Sequence, residues 1–187
     1  AIAYAQIGKK VLLIDGDFGM ANVNVLLNIV PQYNLLHVVN QQKRMDEIIT
    51  DTEFGIKFIA GANGFSQIAN LSESELEYFI QELNTLNAFD IIIIDTAAGI
   101  ANNVLQLVGA ADEVFIVTTP EPTAITDAYG IIKIITTEIS LHREMKLQLL
   151  VNRVHSGDEG KRIADRIINI ASQFLNYKIE YLGFIYD

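Results

Sequence analysis

The chain has 187 residues, half of them hydrophobic and only 19% charged, which is enough apolar surface for a sizeable core and excludes a disordered tail. Thirteen basic against 23 acidic residues leave a formal charge of −10, so the surface opposes nucleic-acid backbones; nucleic acid is not an expected partner. With no cysteine there are no disulfides, thiolate metal sites or Cys nucleophiles, and the apolar runs fall far short of the roughly 18 residues of a spanning helix.

Residues Ala1 to Gly8 are compatible with the back half of a helix, closed by a glycine suited to its C-terminal side, with no capping residue at the start. The expectation is a chain that begins inside a larger protein, and the ending at Gly183-Phe184-Ile185-Tyr186-Asp187 reads the same way. One domain, 1–187, is expected over the recorded stretch.

From Val11 the pattern alternates. Val11 to Ile14, Ile56 to Ile59, Ile91 to Ile94, Val114 to Val117, Leu147 to Val151 and Tyr181 to Ile185 are short and apolar without alternation, as parallel strands covered on both faces are. Helices are expected between them. Ser72-Glu73-Ser74-Glu75 is a capping-box pattern ahead of Leu76, Phe79, Ile80 and Leu83; Ser156-Gly157-Asp158-Glu159 stands likewise ahead of Ile163, Ile167, Ile170 and Phe174. A third helix is expected over Thr123 to Ser140, with Ala124, Ala128, Ile131, Ile132 and Ile135 inward. Strand, helix and strand in repetition predict an α/β fold: a doubly wound, mostly parallel sheet flanked by helices.

In such folds ligands sit beyond the carboxyl ends of the strands. There the chain places Asp15-Gly16-Asp17, Asp95-Thr96-Ala97-Ala98-Gly99, Thr118-Thr119-Pro120-Glu121-Pro122 and Asn152-Arg153. Carboxylates closing apolar strands suit a hard cation such as Mg2+, held by one or two carboxylates with waters and phosphate oxygens. The plain alternative is that Asp15 and Asp95 accept hydrogen bonds from loop amides or cap a helix. No glycine-rich phosphate loop with its Lys occurs in the sequence, so a phosphate cradle and its strand are expected upstream of Ala1. Gly61-Ala62-Asn63-Gly64 reads as a turn after a strand. His37, His142 and His155 lack ligand spacing. A phosphoacceptor receiver domain also carries such aspartates, but the Lys it needs after a late strand is replaced by Asn152 and Arg153.

The run Ala5 to Asp17 resembles the end of the phosphate-loop helix, the following strand and switch I of the MinD/ParA group of deviant Walker ATPases. Asp95-Thr96-Ala97-Ala98-Gly99-Ile100 resembles its switch II, with Ala97 where Pro is usual. Gly19 to Leu27, Thr119 to Tyr129 and Val151 to Val154 resemble the flagellar-number regulators of that group (the FlhG/YlxH/FleN type); Asn24 stands where that branch usually has Asp, and Tyr186 where Pro is common. The resemblance implies a P-loop NTPase-like fold and a slow ATPase with ATP and Mg2+ as cofactors. Asp17 would orient the attacking water and, with Asp95, hold Mg2+ largely through water. Asp15 would belong to the nucleotide site, Asn152 and Arg153 would line the adenine, and Ile185, Tyr186 and Asp187 would lie beside it. It also implies a nucleotide-dependent homodimer, a signal-recognition-type flagellar GTPase and switch-complex proteins as partners, and a cytoplasmic protein that reaches the inner face of the membrane through a C-terminal helix outside this stretch. Two other readings stay open: a division-site or chromosome-partitioning ATPase, and a non-catalytic scaffold of the same fold.

Overall fold

The computed structural model describes residues 1–17, 21–62, 71–139 and 145–187. Expectations resting on Phe18, Gly19, Met20, Asn63, Gly64, Ser140 and His142 lie outside the described residues. The chain falls into two compact units, Ala1–Ala98 and Gly99–Asp187.

In the first unit a short helix α1 (Ile2–Gln6) leads through Gly8, at φ +86°, into strand β1 (Val11–Gly16). Helices α2 (Val23–Leu26) and α3 (Leu35–Val39), a 3-10 turn (Met45–Ile48), strands β2 (Thr50–Asp51) and β3 (Lys57–Ile59), helix α4 (Glu73–Asn84) and strand β4 (Ile91–Thr96) follow. The sheet order is β2-β3-β1-β4; β1 runs parallel to both β3 and β4, and only β2 is antiparallel. The chain thus leaves β1 for β3 on one side and returns to β4 on the other, so the winding reverses at β1. The carboxyl ends of β1 and β4 form the kind of crevice in which open α/β sheets bind ligands.

β1 matches its expectation: Val11, Leu12, Ile14 and Asp15 are all buried, because the strand is flanked on both sides. Around it Phe58 and Ala60 pack with Val23 and Leu27, and α4 turns Leu76 and Phe79 inward. The Ser72 box forms as expected: the side chain accepts from the Glu75 amide, and the Glu75 carboxylate accepts from the Ser72 amide at 2.8 Å.

The second unit runs α5 (Asn102–Ala110), β5 (Glu113–Thr118), α6 (Pro122–Glu138), β6 (Lys146–Val154), α7 (Gly157–Leu175) and β7 (Ile179–Tyr186), with an all-parallel sheet in the order β5-β6-β7. Its core joins Ile116, Leu147, Leu149 and Val151 of the sheet to Ala128, Ile132 and Ile135 of α6 and to Ala164, Ile167 and Ala171 of α7.

Two details depart from the expectation. β4 is half-buried along Ile91 to Ile94, and β5 alternates, with Ile116 and Thr118 buried and Phe115 and Val117 exposed, so one face of β5 is covered and the other is open. In α7 the inward face is built from Gly160, Ala164, Ile167 and Ala171, while Phe174 is exposed. At Gly160 the helix lies close to β7: a Cβ there would stand 3.0 Å from the Phe184 Cβ.

Candidate functional site

The acidic residues of the first unit come together at the crevice end of its sheet. Asp15 and Asp95 are partners in the parallel ladder of β1 and β4, one step beyond Ile14 and Ile94. The two apolar strands end in step, so each delivers its carboxylate to the same edge.

Their surroundings differ. Asp15 is buried at 1% exposure. Its Oδ1 accepts from the Asp17 amide at 3.2 Å and its Oδ2 from the Val23 amide at 3.0 Å. These are the loop-amide and helix-start bonds of the plain alternative, and they offset the cost of burying the charge. Asp17 is half-buried and Asp95 exposed. The Asp95 carboxyl is held above the usual carboxylate range, first by partial burial and then by the negative charges of Asp15 and Asp17. An anion placed beside two others is a carboxylate that a divalent cation stabilises. Among the described residues no group of three or more His, Asp or Glu side chains is arranged to hold a metal. Asp17 and Asp95 are hard oxygen donors of the kind that Mg2+ takes in ones and twos alongside water and phosphate oxygens.

In the second unit Asn152, Arg153, Ile185, Tyr186 and Asp187 also come together. The β6–β7 pairing shifts register between Val151 and Val154, and inside that irregularity Arg153 takes φ +57°, a left-handed conformation uncommon for a long side chain. The Asn152 Oδ1 accepts from the Arg153 amide at 2.9 Å. The Arg153 Nε donates to the Asp187 Oδ1 at 2.9 Å, and the Asp187 amide donates to the Val154 carbonyl at 3.2 Å, so the end of β7 is fastened to the end of β6. Arg153 lowers the Asp187 carboxyl below its ordinary range, through the hydrogen bond first and charge second. Beside them Ile185 and Tyr186 are exposed, with the Tyr186 ring edge-on to Phe184 at 5.1 Å.

Two members escaped the sequence reading. Glu121 lies within the electrostatic reach of Arg153 and is held below its ordinary range, mainly by a hydrogen bond from the Thr119 side chain. Its place after a strand was visible; its coupling to a residue 32 positions on was not. Gly61 presses on Asp15: a Cβ there would stand 2.8 Å from the Asp15 carbonyl oxygen and 2.6 Å from the Ala21 Cβ. Of the histidines, His37 bonds within the α3 cap through Asn34 and lies edge-on to Tyr33, and the His155 amide donates to Glu159.

The AAA domain family matches residues 1–150. The chain is 33% identical over 189 residues to the antiactivator FleN of Pseudomonas aeruginosa, covering all of this chain and 66% of that protein. It is 35% identical over 180 residues to the flagellum site-determining protein YlxH of Helicobacter pylori, covering 95% of this chain and 60% of that one. The chain thus spans under two thirds of the length of these curated relatives. Among solved structures, the septum site-determining protein MinD of Pyrococcus horikoshii, complexed with Mg-ADP, superposes with a TM-score of 0.78 at 22% identity over 99% of this chain and 72% of that one, a likeness of fold. The chain belongs to the AAA domain family, in its MinD/ParA group of ATPases and near the flagellar-number regulators.

Proposed function

We propose that this chain is the switch-bearing part of an ATP-dependent dimerising regulator of flagellar number or placement, which hydrolyses ATP slowly and uses it as a timer. The observation that carries the reading is the delivery of Asp15 and Asp95 to one sheet edge by two parallel strands, with Asp17 two residues along. The flagellar regulators among its relatives supply the process.

In this reading Asp95 and Asp17 hold Mg2+ through water, and the ion supplies charge neutralisation for the phosphates when bound. Asp17 accepts a hydrogen bond from a water and orients it; phosphoryl transfer asks little of the protein beyond positioning and charge. Asn152 and Arg153 line the adenine, beside Ile185, Tyr186 and Asp187. The dimer, the signal-recognition-type GTPase, the switch-complex proteins and the inner membrane face belong to the same proposal.

The test is made on the full-length protein containing this chain. ATP should drive a monomer to dimer shift in sedimentation, and Asp17→Ala should retain the ATP-bound dimer while abolishing phosphate release. Phosphate release at the parent rate in Asp17→Ala removes Asp17 from the reaction. Deletion of the gene should alter flagellar counts and leave septum position unchanged; displaced septa would favour the division-site reading. Absence of ATP binding in calorimetry would favour the scaffold.

A further inference from the structure

We propose that Asp15 is a positioning residue: its buried carboxylate is a clamp that fixes Asp17 and the start of α2, and it takes up no ligand itself. The inference rests on the reading of Asp17 as the group that orients water.

Asp15 is 1% exposed, so a ligand reaches it only after the crevice is rebuilt. Each carboxylate oxygen already accepts a backbone amide, that of Asp17 at 3.2 Å and that of Val23 at 3.0 Å. One rigid side chain therefore holds both ends of the segment from Asp17 to Val23. The anchor cannot recede, because it is carried by the central strand, whose neighbours Leu12 and Ile14 are fully buried. Nor can it slide sideways: Gly61 lies so close that a Cβ would stand 3.3 Å from the Asp15 Cγ, besides its clash with the Asp15 carbonyl oxygen at 2.8 Å. Aspartate has the reach this space allows; a longer glutamate would push its carboxylate into the same wall. Val23 is itself buried against Phe58 and Leu27, so the clamp ties Asp17 to the core as well as to β1. Asp17, two residues beyond the anchor, keeps a partly open side chain on a fixed backbone, the condition for holding a water in one orientation.

The test is Asp15→Asn, which keeps the shape but replaces one acceptor by a donor facing an amide donor. Amide exchange followed by NMR should accelerate about ten- to a hundredfold at Asp17 and Val23, as loss of a charge-assisted hydrogen bond implies, with Leu12 and Leu13 keeping their protection. In the full-length protein, kcat should fall about tenfold with the KM for Mg-ATP unchanged, the pattern of a lost transition-state contribution. Parent-like exchange at Asp17 and Val23 overturns the clamp; accelerated exchange with unchanged kcat overturns its positioning role. If Asp15→Asn does not fold, Gly61→Ala tests the same wall without removing a charge and should accelerate the same two amides. A parent protein that hydrolyses no ATP would sink the hydrolytic reading of Asp17, while the exchange result still decides the clamp.

Discussion

Asp15 and Asp95 are opposite partners in one parallel ladder, yet the first is buried and the second opens to solvent. Backbone amides account for the difference. The Asp17 and Val23 amides fold over Asp15 and use its oxygens, whereas Asp95 is left with a raised pKa beside two like charges. Two carboxylates reach the edge by identical means and leave it with different tasks.

The Asp95 pKa makes stability fall as pH rises. A carboxyl raised in the folded chain contributes stability that is fully present below its unfolded value and is lost as pH climbs through its folded value. Asp95→Asn should therefore melt higher than the parent at pH 7 and nearly equal to it at pH 3. Carbon-detected NMR should place the Asp95 titration above the ordinary range, and Asp17→Asn should bring it part of the way down. Equal melting of parent and Asp95→Asn at both pH values would contradict this.

Ile14 is fully buried and paired with Ile59 on one side and Ile94 on the other, immediately before Asp15. Truncation to alanine leaves a cavity at the centre of the sheet and should cost about 2–5 kcal/mol. Ile14→Val, one methylene smaller, should cost about 0.5–1.5 kcal/mol. Urea denaturation checks both, with the midpoint lowered and the slope unchanged.

The elements were legible where one physical signal acted alone. Unbroken runs such as Val11 to Ile14 announced covered parallel strands, and the Ser72 and Ser156 caps announced helix starts. At Ser156 even the partial departure is physical: the hydroxyl accepts from the Glu159 amide, but the Glu159 carboxylate accepts from the His155 amide, one residue early. What escaped depended on distance in the fold. Phe174 has the spacing of a core residue but is exposed at the far end of α7, whose inward face is carried by Gly160, Ala164, Ile167 and Ala171. The partnership of Gly61 with Asp15, and of Glu121 with Arg153, joins residues that no local pattern connects.

The Ser72 cap is on the surface, and its loss should be felt by α4 alone. Ser72→Ala removes the acceptor for the Glu75 amide and should cost about 0.5–2 kcal/mol. Ser72→Asp should restore most of that, since aspartate caps equally well and suits the positive end of the helix dipole. Thermal melts of the three proteins provide the comparison.

Gly160→Ala sets helix propensity against packing. Alanine in a helix interior is favoured over glycine by about 1 kcal/mol. Here its Cβ would meet the Phe184 Cβ at 3.0 Å and the Tyr181 hydroxyl at 3.2 Å, and the first is anchored to a strand and cannot swing away. Overpacking of this kind costs about 1–3 kcal/mol, so the net effect is destabilisation, with Phe184 and its ring partner Tyr186 displaced. A Gly160→Ala protein that melts higher than the parent would show that α7 can lift off β7 cheaply.

Arg153→Gly separates the fold from the site. Arg153 occupies a left-handed backbone conformation that glycine adopts without strain, so the substitution relieves the folded chain at that residue while giving the unfolded chain more freedom to lose. The side chain removed is exposed, and its ion pair with Asp187 is open to solvent and salt, so its loss weighs little on stability. The melting temperature should stay close to that of the parent. The Asp187 carboxyl should rise toward its ordinary range, because the hydrogen bond and charge that lower it are gone. Adenine-nucleotide affinity of the full-length protein should fall at the same time, with Arg153→Lys restoring charge but not the directed Nε bond. A marked loss of stability in Arg153→Gly would contradict this and make the exposed Arg153–Asp187 bond a main support of the β6 and β7 ends.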